Sequence, residues 1–223
     1  MLHSIFCDFD GTIAKEDSTD LILNQFSVDN TWKNIELQWS SGTIGSRECL
    51  IKQFSNIRMN ATDIFDLAGK LHLENGFIEF SQFCKDKGIP LFIISDGINT
   101  LIEQFLTIHK IYFTSIYAND IKFMSEKMIK FIPLSDSSDL YPCIHNNVCA
   151  NCKPQIIKHI IKTIPIHPND TIYIGDGISD IEGARHCSTV FAKEKLFTLL
   201  RDRKKKSCLF RNFHEILQII QKS

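Results

Sequence analysis

Two carboxylates one residue apart, at the end of an apolar run, make phosphoryl transfer the first chemistry to consider. The run is Ile5-Phe6-Cys7-Asp8-Phe9-Asp10-Gly11-Thr12. Side chains of a strand alternate with a period of two, so Asp8 and Asp10 share one face. Gly11 permits a tight turn and offers its amide to a phosphate oxygen. One carboxylate can attack phosphorus as a nucleophile. Its neighbour can protonate the leaving alcohol and then activate water. Taken alone, the segment also reads as a strand end with an ordinary Asp-Gly turn. A second acidic pair follows another apolar run, in Ile172-Tyr173-Ile174-Gly175-Asp176-Gly177-Ile178-Ser179-Asp180. Asp176 and Asp180 belong at that strand's carboxyl end and in the first turn of the next helix, where open α/β sheets bind ligands. Carboxylates gathered in one crevice repel one another unless a cation lies among them. An oxygen-only set beside a phosphate suits Mg²⁺. This segment alone also reads as a turn and a helix N-cap.

Two further pieces lie between the acid pairs. Pro90-Leu91-Phe92-Ile93-Ile94-Ser95-Asp96-Gly97 is a buried strand that ends in a hydroxyl and a glycine turn. Ser95 and the amides of Asp96 and Gly97 can hold a phosphate at a helix N-terminus. Cys152-Lys153-Pro154 opens an amphipathic helix with Ile156, Ile157, Ile160 and Ile161 on one side. Lys153 can meet a transferring phosphate as a point charge. A lone Ser or Lys at a helix start also serves as a cap or a solvated charge. The order of acid pair, Ser-x-Gly, Lys and acid pair favours the chemical reading.

These motifs resemble those of the haloacid dehalogenase superfamily of phosphohydrolases, in its phosphoserine phosphatase-like branch. The match is carried by Asp8-Phe9-Asp10-Gly11-Thr12, Ser95, Lys153 and Gly175-Asp176-Gly177-Ile178-Ser179-Asp180. The resemblance implies that Asp8 is the nucleophile and Asp10 the acid/base. It implies Mg²⁺ at Asp8, the backbone carbonyl of Asp10 and Asp176, with Asp180 in support. Gly11, Ser95, Asp96, Gly97 and Lys153 would bind the phosphate.

The stretch Cys143-Ile144-His145-Asn146-Asn147-Val148-Cys149-Ala150-Asn151-Cys152 concentrates soft ligands. Cys149-x-x-Cys152 has metal-knuckle spacing, and Cys143 and His145 can complete a tetrahedral, structural Zn²⁺ site. A redox dithiol and a compact loop of reduced thiols that positions Lys153 are the other readings. A Cys-rich lead into this lysine also resembles two subgroups. One is the 2-hydroxy-3-keto-5-methylthiopentenyl-1-phosphate phosphatases of methionine salvage. The other is the phosphocholine/phosphoethanolamine phosphatases. Phosphoserine phosphatases usually carry a glutamate where this chain has Asp17, which favours the methionine-salvage subgroup over them. Glu16, Asp17, Ser18 and Arg47 are the positions expected to read the substrate beyond its phosphate. A phosphate-sensing or partner-binding protein on the same fold and a phosphotransferase remain open.

The elements that must position these groups follow from periodicity. Residues 14–74 show only helical spacing: Leu21, Ile22, Leu23 and Phe26; Trp32, Ile35 and Trp39; Leu50, Ile51, Phe54 and Ile57; Ile64, Phe65, Leu67, Ala68 and Leu71. They are expected to form a small helical bundle, in the place of the cap of the resembling branch. The first helix is expected to be capped by Ser18 or Thr19. From Asn75 onward helices and strands alternate, as a doubly wound, mainly parallel α/β sheet requires. The expected division is a Rossmann-like core of 1–13 and 75–223 with a helical cap at 14–74.

The 223 residues, 43% hydrophobic, suffice for one α/β domain with an insertion. A net charge of −1 predicts no general nucleic-acid field. The basic run Arg201–Lys206 is read as a solvated loop between two helices. No apolar run approaches membrane-spanning length. The opening residues carry no basic leader. Eight cysteines in such a chain read as reduced thiols. The expectation is a cytoplasmic monomer or homodimer acting on a small phosphorylated metabolite, with neither nucleic acid nor membrane as a partner.

Overall fold

The structure is a computed structural model that describes residues 4–137, 140–146 and 148–222. Its sheet is built on β1 (Ser4–Cys7), which lies between β2 (Leu91–Ile98) and β5 (Thr171–Gly175). Outward from β2 come β3 (Ser115–Phe123) and β4 (Ile129–Ile132). Outward from β5 come β6 (Thr189–Ala192) and β7 (Cys208–Leu209). Every pairing is parallel except that of β3 with β4. The expected doubly wound α/β sheet is therefore present.

Both faces of the central strands are apolar, because helices cover each side of a parallel sheet. Alternation sorts the residues. Ile5, Cys7, Leu91, Ile93, Ile172 and Ile174 enter one core, and Phe6, Phe92, Ile94 and Tyr173 the other. The second core is covered by α8 (Lys153–Thr163), α9 (Ile181–Arg185) and α10 (Glu194–Asp202). The first is covered by α5 (Phe77–Asp86), α6 (Asn99–Ile108) and α11 (Phe213–Ile220). The short α7 (Leu134–Ser137) follows β4.

Between β1 and α5 the chain forms α1 (Ser18–Phe26), α2 (Thr31–Ser40), α3 (Ser46–Ser55) and α4 (Ala61–Ala68). Their apolar faces join the first core through Ile22, Leu23, Trp32, Phe54, Ile64 and Leu67. Phe54 of α3 also meets Phe131 of β4, ring centroids 4.9 Å apart. The cap of α1 differs from expectation. Asp17, not Ser18 or Thr19, is the N-cap, its carboxylate accepting from the Asp20 amide at 3.0 Å. A carboxylate here also complements the positive end of the helix.

Two details of the distal half also differ. The basic run does not join two helices: Arg201 and Asp202 end α10, and the lysines turn into the edge strand β7. β7 has only two residues, too few to show a period of two in the sequence. Among the described residues, no helix is long and apolar enough to cross a membrane.

The first core is closed by aromatic contacts from the terminal helix. Phe213 is fully buried, 4.7 Å from the Phe77 ring and 5.1 Å from that of Phe80. Phe213→Ala should lower stability by about 3–5 kcal/mol in urea unfolding. A loss below about 1 kcal/mol would remove this cluster from the cooperative core.

Candidate active site

Register brings the acidic strand ends level. Cys7 pairs with Ile93 on one side and Ile174 on the other. Asp8 and Asp176 therefore leave the sheet side by side, and Ser95 lies level with them inside β2, which runs on through a register shift to Ile98 where a glycine turn was expected. This is also where the strand order reverses, because the chain runs from β1 outward through β2 to β4 and returns at β5.

Asp8 is 4% exposed. Its Oδ1 accepts from the Phe9 amide at 2.8 Å, and its Oδ2 lies 2.9 Å from Lys153 Nζ. Lys153, the first residue of α8, is 2% exposed and also donates to Asp180 Oδ1 at 2.6 Å. Asp180 accepts from the Tyr173 hydroxyl on the same oxygen at 2.6 Å. Its Oδ2 takes the amides of Asp176 and Gly177 at 2.9 and 3.0 Å. Burial would raise the Asp180 carboxyl, but the charge of Lys153 and hydrogen bonds from Asp8, Lys153 and Tyr173 hold it below the ordinary value. Burial would lower the Lys153 ammonium, yet Asp180, Asp8 and Asp96 hold it above its usual range.

One ammonium thus serves several carboxylates. Burial, then the charge of Asp180, pushes Asp8 well above the ordinary range. The same two causes move Asp176 up to about 6. Oxygens of Asp8, Asp176 and Asp180 lie within 4.8 Å of one another. An all-oxygen set with surplus negative charge fits a hard divalent cation such as Mg²⁺. The Asp10 carboxylate is not in this group. Its Oδ1 accepts from the Ser18 amide at 2.7 Å, and its Oδ2 from the Ser95 hydroxyl at 3.4 Å. Burial, with the charge of Asp17 added, pushes Asp10 up to about 8, so it carries a proton at neutral pH.

Ser95 is fully buried, and its Oγ accepts from the Gly97 amide at 2.9 Å. Two glycines are needed for close approach. A Cβ on Gly97 would sit 2.8 Å from Asp10 Oδ2. One on Gly11, whose φ is +66°, would sit 2.5 Å from Asp176 Oδ2. Burial moves Asp96 up to about 6.

A cavity of about 370 Å³ opens over Asp8, Asp10, Ser95, Asp96 and Asp176. Asp17, Thr19 and Asp20 line it from the start of α1, Glu36 and Trp39 from α2, and Cys49 and Gln53 from α3. Of the four positions expected to read the substrate, only Asp17 lines the cavity. The Glu16 carboxylate is turned to His72, 2.9 Å from its amide and 2.6 Å from its Nδ1. Ser18 is buried and gives its amide to Asp10. Arg47 pairs with Asp136 at 2.5 Å, beside Val148 and away from the carboxylates. Sequence reasoning missed Glu36 and Gln53. Gln53 gave a signal: an amide in a helix face otherwise made of Leu50 and Phe54. It donates to Glu36 Oε2 at 3.0 Å.

A second group of ligands lies just before α8. The donor atoms of Cys143, His145, Cys149 and Cys152 all fall within 4.8 Å of one another. A hydrogen bond from Cys149 draws the Cys152 thiol down to about 5.

Comparison with known proteins gives the family and the fold. A family model described as "Putative Phosphatase" matches residues 3–213. The chain is 29% identical over 221 residues to a Brevibacillus brevis protein named 2-hydroxy-3-keto-5-methylthiopentenyl-1-phosphate phosphatase, covering 97% of this chain and 94% of that one. A Bacillus cereus protein of the same name is 30% identical over 220 residues, with the same coverage. Among solved structures, a phospho-aspartyl intermediate analogue of phosphoserine phosphatase superposes with a TM-score of 0.76 at 20% identity, covering 98% of both chains. A substrate-bound phosphoserine phosphatase gives 0.77 at 19% identity, again over 98% of each chain. At these identities the structural likeness establishes the fold, which is haloacid dehalogenase-like.

The buried ion pairs make a testable demand. Asp180→Ala leaves Lys153 with Asp8 as its remaining ion-pair partner among the described residues and deprives the Tyr173 hydroxyl and the Asp176 and Gly177 amides of their acceptor. Stability should fall by about 3–5 kcal/mol in denaturant unfolding. A loss below about 1 kcal/mol would show that Asp180 does not hold the network.

Proposed function

The chain belongs to the phosphatase family whose model spans residues 3–213, and we propose that it hydrolyses a small phosphomonoester through an aspartyl-phosphate on Asp8. The observation that carries this reading is the geometry at one strand end: Asp8 held 2.9 Å from the buried Lys153 ammonium, and the Asp10 carboxyl turned instead to the Ser18 amide and the Ser95 hydroxyl. An Asp8 oxygen attacks phosphorus, and the bond from phosphorus to the substrate oxygen breaks. Asp10 gives its proton to the departing oxygen. Water then attacks the phosphorus, Asp10 takes a proton from it, and Asp8 is released as carboxylate. The Ser95 hydroxyl, fixed by the Gly97 amide, holds a phosphate oxygen, and Lys153 offsets the phosphate's charge. Mg²⁺ would be held by Asp8, Asp176 and the Asp10 carbonyl, with Asp180 in support, and would neutralise charge on the transferring group.

Helices α1–α4 serve in this reading as a cap over a core of 1–13 and 75–223. Their cavity-facing residues exclude water and limit access to small substrates. The preferred substrate is 2-hydroxy-3-keto-5-methylthiopentenyl-1-phosphate of methionine salvage, supported by the relatives of that name. A second reading has its own observation. Asp20, Glu36 and Trp39 on the cavity wall suit a cationic tail such as that of phosphocholine or phosphoethanolamine. The enzyme is proposed to act in the cytoplasm, as a monomer or homodimer; its cysteines are all free thiols.

Asp8→Asn should abolish turnover of p-nitrophenyl phosphate with the fold retained, and Asp10→Asn should slow it about 10²–10⁴-fold. EDTA should stop the wild type and added Mg²⁺ restore it. Substantial activity in Asp8→Asn, or in metal-free protein, would overturn the mechanism.

The substrate is decided by kcat/KM for the methylthiopentenyl phosphate, phosphoserine, phosphocholine and phosphoethanolamine. The first should be preferred, and Glu36→Gln should leave that preference in place. A preference for a cationic substrate, selectively lost in Glu36→Gln, would replace the methionine-salvage assignment with the second reading.

A further inference from the structure

We propose that Cys143, His145, Cys149 and Cys152 form a structural Zn²⁺ site that clips the start of α8 to α3. Three thiols and an imidazole are a zinc-type donor set, and Cys149-x-x-Cys152 supplies the knuckle. Donors at the corners of a zinc tetrahedron stand about 3.4–3.8 Å apart. His145 Nδ1 is 3.3 Å from Cys149 Sγ and 3.9 Å from Cys152 Sγ. All four donors fall within 4.8 Å of one another, so small side-chain movements suffice to close the shell.

The surroundings explain why a metal is useful here. Leu140, Ile144 and Val148 are all exposed, so the segment has little apolar core of its own. A metal can supply the order that burial does not. The residues beside the ligands hold the active site from several sides. Cys152 is the N-cap of α8 and directly precedes Lys153. Asn151 Nδ2 donates to the Ser95 carbonyl at 2.7 Å and the Tyr117 carbonyl at 2.8 Å. Val148 accepts from the Arg47 amide at 3.0 Å, and the Ala150 amide donates to Ser46 Oγ at 3.1 Å. The clip therefore ties the phosphate-side residues Lys153 and Ser95 to the helix that carries Cys49 and Gln53. A role in shaping substrate access follows, and Arg47 belongs to this docking contact.

The test uses the full chain, untagged, from zinc-supplemented cells and purified without oxygen or chelator. Elemental analysis should find about one zinc per chain. The protein reloaded with Co²⁺ should show thiolate-to-cobalt charge-transfer absorption and the visible bands of tetrahedral cobalt. Cys143→Ser and Cys149→Ser should lose the metal, whereas His145→Cys, which keeps four donors, should retain it. Zinc-depleted wild type should exchange amide hydrogen faster at 148–153 and at the start of α3. Absence of zinc together with no charge-transfer band on Co²⁺ addition would overturn the proposal. So would zinc that survives Cys149→Ser, or a Cys149–Cys152 disulfide in the purified protein. These measurements do not involve turnover, so they stand or fall apart from the phosphatase mechanism.

Discussion

Lys153 lies out of solvent between Asp8, 2.9 Å away, and Asp180, 2.6 Å away. A buried ammonium is costly unless its charge and its donors are matched. The rest of the site is arranged around that demand. Asp180 must be ionised to meet the lysine, so it takes the Tyr173 hydroxyl and the Asp176 and Gly177 amides. Tyr173 must lie beneath the sheet to reach it, which sets the small side of α9 at Gly183, where a Cβ would come 3.0 Å from the ring. Gly175 is likewise needed, since a Cβ there would stand 2.5 Å from Asp180 Oδ2. Motifs far apart in sequence are thus bound by one charge balance.

That balance is incomplete where the chemistry occurs. Asp180 is satisfied, while Asp8 and Asp176 are left with raised proton affinity. A site stable without further charge would have no use for a cation or for a phosphate that arrives with one. Asp10 stands apart from the conflict. The Ser18 amide and the Ser95 hydroxyl orient it without neutralising it, and burial keeps its proton. Two like residues, two positions apart, meet different partners: Asp8 faces the ammonium, and the Asp10 carboxyl faces Ser18 and Ser95.

The inserted helices are joined to the sheet by polar contacts as well as apolar ones. Asp10 accepts from Ser18 at the start of α1. Glu74, near the return to the core, pairs with Lys193 at 2.6 Å. The loop before α8 meets the start of α3. These attachments keep the wall formed by Glu36, Trp39 and Gln53 over the carboxylates, so the shape of the cavity depends on contacts distant from it.

Fold class, and the residues that come together at the carboxylates, were legible in the sequence, because both rest on local rules. Continuous apolar runs showed β1, β2 and β5 as buried strands, and a strand's end needs only its own residues to place Asp8 or Asp176. Helical spacing showed α1–α4. The start of α1 was misread because Ser18 and Thr19 are good caps too; in the fold the Ser18 amide is given to Asp10 and Asp17 takes the cap position. Of the positions expected to read the substrate, all but Asp17 lie away from the cavity for the same kind of reason. Glu16 and Arg47 have the right chemistry, but His72 and Asp136, remote in sequence, draw them away. Glu36 and Gln53 reach the cavity only through the way α2 and α3 cross. Order along the chain determined which chemistry the protein can perform. Tertiary structure decided which side chains face the cavity, because burial and partners, and so orientation and proton affinity, are set by residues from other elements.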